Sequence, residues 1–157
     1  MNTVDPFFGA WLSGLADGEG SFNILVTKQT SSCTFHIALR ADDTEIIHAI
    51  QRTIGYGRIH HEKKGLRGGR NNNASLRWVV SRSADCLALV ALFNSFPLRT
   101  KKRRDFLVWA EAVRYLSDNL IPHSGRNRWH PSRWKAIRDA RMAAFKVELQ
   151  NGRKFST

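Results

Sequence analysis

One stretch, residues 9–22 (GAWLSGLADGEGSF), constrains this chain most, because an apolar helical segment runs directly into the acidic turn DGEG at residues 17–20. Asp5 suits the N-cap of a helix and Pro6 suits its first position, so the sequence predicts a helix over residues 6–17. Two carboxylates then fall at the helix C-terminus, where the macrodipole is already negative and disfavours anions. The segment therefore places negative charge where the helix alone would not stabilise it.

Acidic residues are scarce in the chain, which makes the two at this helix end, Asp17 and Glu19, more informative. The 157 residues include 25 Lys and Arg against 13 Asp and Glu, a formal net charge of +12. Two acids in an unfavourable position indicate that a cation compensates them, and carboxylate oxygens suit a hard divalent ion. We expect Gly18 and Gly20 to let the chain leave the helix with positive φ.

Small residues recur along the same helix at spacings of three and four residues. Ala10, Ser13 and Gly14 form such a stripe, which continues to Gly18. Small side chains let a second helix backbone approach closely, as they do between helices in membranes, and the geometric reason applies in water too. The stripe predicts a helix–helix interface.

Charge and length limit the classes of function. A chain of 157 residues forms one domain with a proper core. Its charge favours an anionic partner, above all nucleic acid. The sequence has no apolar run of about 18 residues and no signal peptide, so we expect no membrane partner and an intracellular location. Cys33 and Cys86 are too few for a zinc site or a disulfide framework and are expected in the core.

Hydrophobic periodicity predicts four strands and four more helices. The strands are predicted at 21–28, 33–40, 58–62 and 75–82, and the helices at 44–54, 85–96, 101–119 and 132–149. Asp42 or Asp43 is expected to cap the first of these helices, and Thr100 the third. The segment 63–73 is predicted to be a long polar hairpin loop. The basic run at 101–104 opens a helix, where cations are disfavoured, so it indicates an anion such as phosphate.

Residues 12–20 (LSGLADGEG) resemble the LAGLIDADG motif of homing endonucleases, with Ser13 in place of the common Ala and Glu19 in place of the final Asp. The αββαββα order of the predicted elements also matches the core of that family. The resemblance implies an α+β fold, in which a four-stranded antiparallel saddle sits in the DNA major groove, with extra C-terminal helices. We expect residues 1–121 to form this core and 122–157 a helical extension of the same domain.

The resemblance implies a site-specific double-strand DNA endonuclease that hydrolyses phosphodiester bonds with Mg²⁺ or another divalent ion such as Mn²⁺. In that family the acidic ends of two motif helices hold metal over the scissile phosphates. By motif position Glu19 is the predicted direct ligand and the Gly18 carbonyl a second one, while Asp17 either ligates metal or supports the helix end. Lys101 best matches the active-site lysine, with Lys102 as the alternative.

The number of motifs implies an oligomeric state. One motif supplies one acidic helix end, whereas cutting both strands of a duplex needs two. The resemblance therefore implies a homodimer with Ala10, Ser13 and Gly14 near the two-fold axis, acting on a long, nearly palindromic site and leaving short 3′ overhangs. The sequence departs from the family near the end of the second strand, where a polar residue is usual and Leu39 stands.

DNA contacts are expected from the outward-facing residues of the predicted saddle. A shift of one residue in strand phase would reverse this assignment. Candidates for base edges are Asn23, Thr27, Gln29, His36, His60, Glu62 and Arg77. Candidates for phosphate contacts are Lys28, Arg58, Lys63, Lys64, Arg67 and Arg70.

Other functions stay open at the level of sequence. A maturase that binds intron RNA would share the fold and the basic saddle. A non-catalytic DNA-binding regulator is a further alternative, as is a nuclease built from His60, His61 and the asparagines at 71–73. The acidic turn with Asp17 and Glu19 favours the metal-dependent nuclease over each of them.

Overall fold

The predicted order of helices and strands is confirmed in a computed structural model, which describes residues 4–62, 65–67, 70–72, 74–119 and 132–153. The first half comprises α1 (Pro6–Glu19), β1 (Gly20–Val26), β2 (Ser31–Arg40), a short 3₁₀ turn (Ala41–Asp43) and α2 (Thr44–Ile54). The second half comprises β3 (Arg58–Glu62), β4 (Gly65–Arg67), β5 (Arg70–Asn72), β6 (Ser75–Val80), α3 (Ser83–Ser95), α4 (Lys102–Asp118) and α5 (Ser132–Asn151).

Four strands form one antiparallel sheet in the order β1-β2-β6-β3, which confirms the α+β architecture. Burial alternates along the strands as predicted, so that Phe22, Phe35 and Trp78 point into the core. The Phe22 ring lies 4.8 Å from the Phe35 ring and 5.3 Å from that of Trp109 on α4. This aromatic cluster fixes the sheet against the helices that carry the site.

The polar segment after β3 is not a plain loop. Strands β4 and β5 pair there as a two-stranded ribbon, with Gly65 opposite Asn72. At the other end of the sheet, β1 stops at Val26, two residues earlier than predicted. Thr27 closes the following turn, since its Oγ1 donates to the Thr30 carbonyl at 3.1 Å and accepts from Thr30 N at 3.0 Å.

Two of the predicted helix caps need correction and one is confirmed. Asp5 caps α1, accepting a hydrogen bond from Phe8 N at 2.9 Å. Asp43 stands at the N-cap of α2 without a side-chain capping bond, and Thr44 Oγ1 instead donates to the Ala41 carbonyl at 2.7 Å. Lys101, rather than Thr100, is the N-cap residue of α4, although Thr100 Oγ1 accepts from Lys102 N at 3.2 Å.

Gly20 joins α1 directly to β1, and its role differs from the one expected. Its φ is −70°, and the positive-φ glycines among the described residues are Gly55 and Gly57. The predicted left-handed exit at Gly18 and Gly20 is therefore wrong. A Cβ at Gly20 would lie 2.5 Å from the Ala16 carbonyl oxygen and 3.0 Å from Phe35 Cε2, so close packing is what requires glycine.

Helix α5 packs against α4 and β1, and it places Met142, Phe145 and Leu149 in the same core as the sheet. The division into a core at 1–121 and an extension at 122–157 stays a prediction. Cys33 and Cys86 are buried and free, as expected, and burial raises the pKa of each thiol to about 12. Among the described helices, none has the length and apolar character needed to cross a membrane.

Gly20→Ala should destabilise the chain by about 1–3 kcal/mol, because the added methyl group overpacks against a backbone carbonyl that cannot turn away. Gly18→Ala is the matched control, since a Cβ there meets no atom within 4 Å and alanine favours helix. Urea unfolding of the metal-free chain measures both. Equal stability of the two variants would contradict the steric role of Gly20.

Candidate active site and nucleic-acid interface

The Asp17 carboxylate ties the end of α1 to the turn between α3 and α4. Its Oδ2 accepts from Arg99 N at 2.8 Å, and its Oδ1 accepts from Thr100 Oγ1 at 2.7 Å and Thr100 N at 3.2 Å. An anion at a helix C-terminus costs roughly 0.3–1 kcal/mol, whereas each hydrogen bond to a charged group contributes about 1.5 kcal/mol or more. The hydrogen bonds outweigh the dipole, so Asp17 supports the helix end.

These contacts also set the charge state of Asp17. Burial raises the pKa of this carboxyl, but the hydrogen bonds from Arg99 and Thr100, together with the nearby Lys102 ammonium, hold the pKa below its usual value. Asp17 is therefore ionised at neutral pH with both oxygens engaged. The structure favours the supporting role over direct metal ligation for this residue.

Glu19 and the Gly18 carbonyl form the exposed tip of the same helix. The last turn of α1 carries no basic residue of its own. Instead Lys102, from the first turn of α4, extends its Nζ to within 2.6 Å of the Gly18 oxygen and 3.5 Å of the Ala16 oxygen. The cation that compensates this helix end is therefore a lysine ammonium from a distant part of the chain, and the divalent ion expected from the sequence stays a prediction.

Lys102, the alternative to Lys101 in the sequence motif, is thus the lysine at the acidic end, whereas Lys101 is exposed at the N-cap of α4. Burial lowers the pKa of Lys102, the carboxylates of Glu19, Asp17 and Asp105 oppose this shift, and Arg153 adds to it. The assignment of Lys101 as the catalytic lysine stays a prediction.

A cleft of about 280 Å³ opens beside this helix end, between the start of β1, the first turn of α4 and the end of α5. Three cationic side chains and one carboxylate line it. The lining residues are Gly20, Ser21, Lys101, Lys102, Asp105, Gly152 and Arg153. Its net positive charge, directly after Glu19, suits a phosphate group.

The donor set fits a hard divalent ion that is completed by other ligands. In the described part of the chain, no three His, Cys, Asp or Glu side chains lie close enough together to hold an ion. Glu19 is an exposed oxygen donor, and the Gly18 carbonyl is a second one, whose oxygen the Lys102 ammonium occupies at 2.6 Å. Mg²⁺ is commonly bound by one or two carboxylates plus waters and substrate phosphates. The residues present fit that ion.

The exposed stripe of α1 runs along Phe7, Ala10, Trp11 and Gly14. Phe7 is 87% exposed and Trp11 44%, which is unusual for such large apolar side chains. A Cβ at Gly14 meets no atom within 4 Å, so a second helix has room to approach. Ala10 and Gly14 therefore lie on the face predicted for the interface.

Ser13 does not lie on that face. It is buried, and its Oγ donates a 2.6 Å hydrogen bond to the Phe96 carbonyl inside the chain. The placement of Ser13 at the interface is therefore a misassignment of helix face. Neighbouring Gly9 packs against the Phe96 ring on the same buried side.

The outer face of the sheet carries Asn23, His36, Arg58, His60 and Arg77, and the predicted strand phase is confirmed. Arg77 Nη2 pairs with Glu62 Oε2 at 3.0 Å, which engages the carboxylate expected to contact bases. Arg77 Nε is buried and has no partner among the described residues. Burial and Arg77 lower the pKa of His36, opposed by Glu62, so His36 is neutral at pH 7.

The remaining candidates for DNA contact belong to the turn after β1 and to the polar segment after β3. Thr27, Lys28 and Gln29 lie in the turn after β1, where Thr27 is engaged as described and Lys28 and Gln29 are exposed. Lys63 and Lys64 lie outside the described residues. Arg67 and Arg70 pair in the β4–β5 ribbon through their backbones, and their side chains lie outside the described part. At the point of departure from the family, Leu39 packs against the core.

Similarity to known proteins identifies the family of this chain. The model of the LAGLIDADG endonuclease family matches residues 12–113, more than half of the sequence. The chain belongs to the LAGLIDADG endonuclease family.

Individual relatives are longer than this chain. It is 28% identical over 123 residues to probable intron-encoded endonuclease 3 of Neurospora crassa, which covers 73% of this chain and 21% of that protein. The chain therefore spans about a fifth of the length of this curated relative.

Solved structures show the same fold. The crystal structure of the LAGLIDADG meganuclease I-AabMI bound to uncleaved DNA matches with a TM-score of 0.60 and 28% identity, over 71% of this chain and 37% of that one. The archaeal intron-encoded homing endonuclease I-Vdi141I, complexed with DNA, matches with a TM-score of 0.69 and 19% identity, over 96% of this chain and 87% of that one. At this lower identity the second match shows the fold alone.

Asp17→Asn should destabilise the chain by about 2 kcal/mol at pH 7, because the amide would turn an NH₂ group toward a backbone N–H that now has a carboxylate oxygen. The folded pKa of Asp17 lies below the unfolded value, so its contribution is present above about pH 4 and is lost as pH falls through the folded pKa. The stability difference between the two chains should shrink in the same range.

Urea unfolding from pH 7 to pH 2 tests this expectation. Asp118→Asn, at the exposed C-terminal end of α4, is the matched control and should change stability little. A difference between wild type and Asp17→Asn that stays constant with pH would contradict the role of the carboxylate.

Proposed function

We propose that this chain is a site-specific DNA endonuclease that hydrolyses both strands of a duplex with a divalent metal ion. The observation that carries the proposal is the tip of α1, where an exposed Glu19 stands beside a Gly18 carbonyl that already attracts an ammonium group. Membership in the LAGLIDADG endonuclease family supports it, as do the DNA-bound structures of similar proteins. The maturase alternative lacks a comparable observation in its favour.

The residues at the tip have separable roles in this proposal. Glu19 and the Gly18 carbonyl would hold Mg²⁺ or another divalent ion, for which the Lys102 ammonium would leave the Gly18 oxygen, and the ion would supply charge neutralisation at the scissile phosphate and activation of water. Asp17 keeps the helix end in place through Arg99 and Thr100. Lys102 lies 2.6 Å from the Gly18 oxygen and supplies positive charge to the same phosphate.

DNA lies on the outer face of the sheet in the proposal. His36, Arg77 and His60 stand on the adjacent strands β2, β6 and β3 of that face, where they contact base edges. Arg58, Lys28 and Gln29 lie nearer to its margins and contact the backbone. The net charge of +12 supports an interaction dominated by phosphates, so affinity should fall steeply with salt. Such an enzyme acts inside the cell or organelle that holds its target.

A second acidic helix end is needed for the second strand. We propose that two copies of the chain supply it, packed through the stripe with Phe7, Ala10, Trp11 and Gly14. The exposure of two large aromatic side chains beside two small residues supports this, because burying such a patch is a strong drive to association.

Glu19→Gln should lower cleavage by on the order of 100-fold or more, because it removes the charge that holds the metal but changes little volume. Binding to uncut duplex in metal-free buffer should stay within about threefold of wild type. Single-turnover cleavage and fluorescence anisotropy measure the two quantities. The matched control is Glu45→Gln, at an exposed position of α2, and this variant should cleave at the wild-type rate. Retained cleavage by Glu19→Gln would rule out the ligand role.

Gly14→Leu should separate the two copies, because the side chain fills the space that an approaching helix needs. The folded chain itself accommodates the leucine, since nothing lies within 4 Å of that Cβ. Light scattering should report a dimer for wild type and a monomer for the variant. Ala136→Leu, on an exposed position of α5, is the matched control and should remain dimeric. A dimeric Gly14→Leu chain would place the interface elsewhere.

A further inference from the structure

The C-terminal end of α5 lines the same cleft as Gly20 and Ser21, which directly follow α1, although it lies more than 130 residues further along the chain. Arg153, just beyond the helix, donates from Nη2 to the Phe22 carbonyl of β1, and its Nε pairs with Asp105 Oδ2 of α4 at 3.0 Å. The guanidinium therefore adds a polar bridge between β1 and α4, which also pack directly through the Phe22 and Phe106 rings. One residue earlier, the position of Gly152 lies against the Arg104 guanidinium.

The two bridged elements carry the parts of the candidate site. Strand β1 follows Glu19 without an intervening loop, and Phe22 is the third residue of that strand. Asp105 lies one helical turn from Lys102 at the start of α4. Asp105 is largely buried, with 14% of its side chain exposed, which restricts the directions from which Arg153 can bind its carboxylate. The bridge therefore joins the strand that follows Glu19 to the helical turn that carries Lys102.

We propose that Arg153 is a positioning residue for the cleavage reaction. It fixes the position of Lys102 relative to Glu19 by holding Asp105 of α4 against β1. The inference rests on the proposed function and extends it, because it gives the C-terminal helix a part in the chemistry as well as in the core. The planar guanidinium suits this task, since it donates in two directions at fixed angles, whereas a lysine ammonium cannot span both acceptors in the same way. In this role the Arg153 guanidinium is engaged by Asp105 and the Phe22 carbonyl, so it adds to the positive charge of the cleft without donating to the reacting phosphate.

The test compares variants on a duplex that the unaltered chain cuts, selected from a randomised library. Arg153→Ala should lower the single-turnover cleavage rate by on the order of 10- to 100-fold, as small displacements of reacting groups do. Its affinity for the uncut duplex should stay within about threefold, since few phosphate contacts are lost. Arg153→Lys keeps the charge but loses the bridge, so it should remain slow.

A control on the same helix separates positioning from general stability. Asp139 tethers α5 to the start of β2 by accepting from Ser31 Oγ at 2.7 Å, and Ser31 pairs with Val26, at the end of β1 opposite to Gly20. Asp139→Asn should therefore lower stability but cut at the wild-type rate. Asp105→Asn should slow cleavage like Arg153→Ala, and the double variant should be no slower than either single one.

A second measurement does not depend on cleavage. In the metal-free chain, Arg153→Ala should speed amide hydrogen exchange at the first turn of α4 and the start of β1, while α2 and β3 exchange as before. If the chain cut no duplex, the proposed function would be refuted. The exchange pattern would still test whether Arg153 holds α4 and β1 together. Wild-type cleavage by Arg153→Ala, full rescue by Arg153→Lys, equal loss in Asp139→Asn or unchanged exchange would each overturn the inference.

Discussion

The docking of the α1 C-terminus onto the turn before α4 is the interaction on which the candidate site depends. Asp17 accepts three hydrogen bonds from Arg99 and Thr100, and Lys102 covers the Gly18 carbonyl. Without these partners, the negative end of the helix would repel its own carboxylates. With them, Asp17 is fixed and ionised, and Glu19 is left exposed at the tip. Two acids two residues apart thereby acquire different roles.

With its C-terminus docked in this way, α1 has one face buried in the chain and one face exposed. Leu12, Ser13 and Ala16 are buried against the body of the chain, where Ser13 bonds the Phe96 carbonyl. The opposite face, with Trp11 and Gly14, stays open to a second helix. A partner on that face would bring a second acidic tip beside the first. In our proposal, the positions of the two cuts depend on two sets of contacts of α1. One set docks its C-terminus on the turn before α4, and the other packs its exposed face against a second copy.

Local spacing made much of this predictable from sequence. Strand alternation, the Asp5 cap and the acidic motif all depend on residues a few positions apart, and the structure confirms the strand phase and that cap. The partners of Asp17 lie 82 and 83 residues away, so no local pattern identifies them. The choice between Lys101 and Lys102 depends on where α4 begins, which sets the direction of each side chain. Ser13 lies on the buried face of α1 because it bonds the distant Phe96 carbonyl. The bridge made by Arg153 had no sequence signal, because it depends on where α5 ends.

In our proposal, the acidic helix end of this chain, paired with that of a second copy, cuts both strands of DNA. Cleavage of a randomised duplex library in Mg²⁺, with the cut positions mapped on both strands, tests this pairing. We expect paired cuts on the two strands, related by the two-fold axis of a nearly palindromic site. Nicks confined to one strand, or no cutting under conditions where the chain binds DNA, would contradict it.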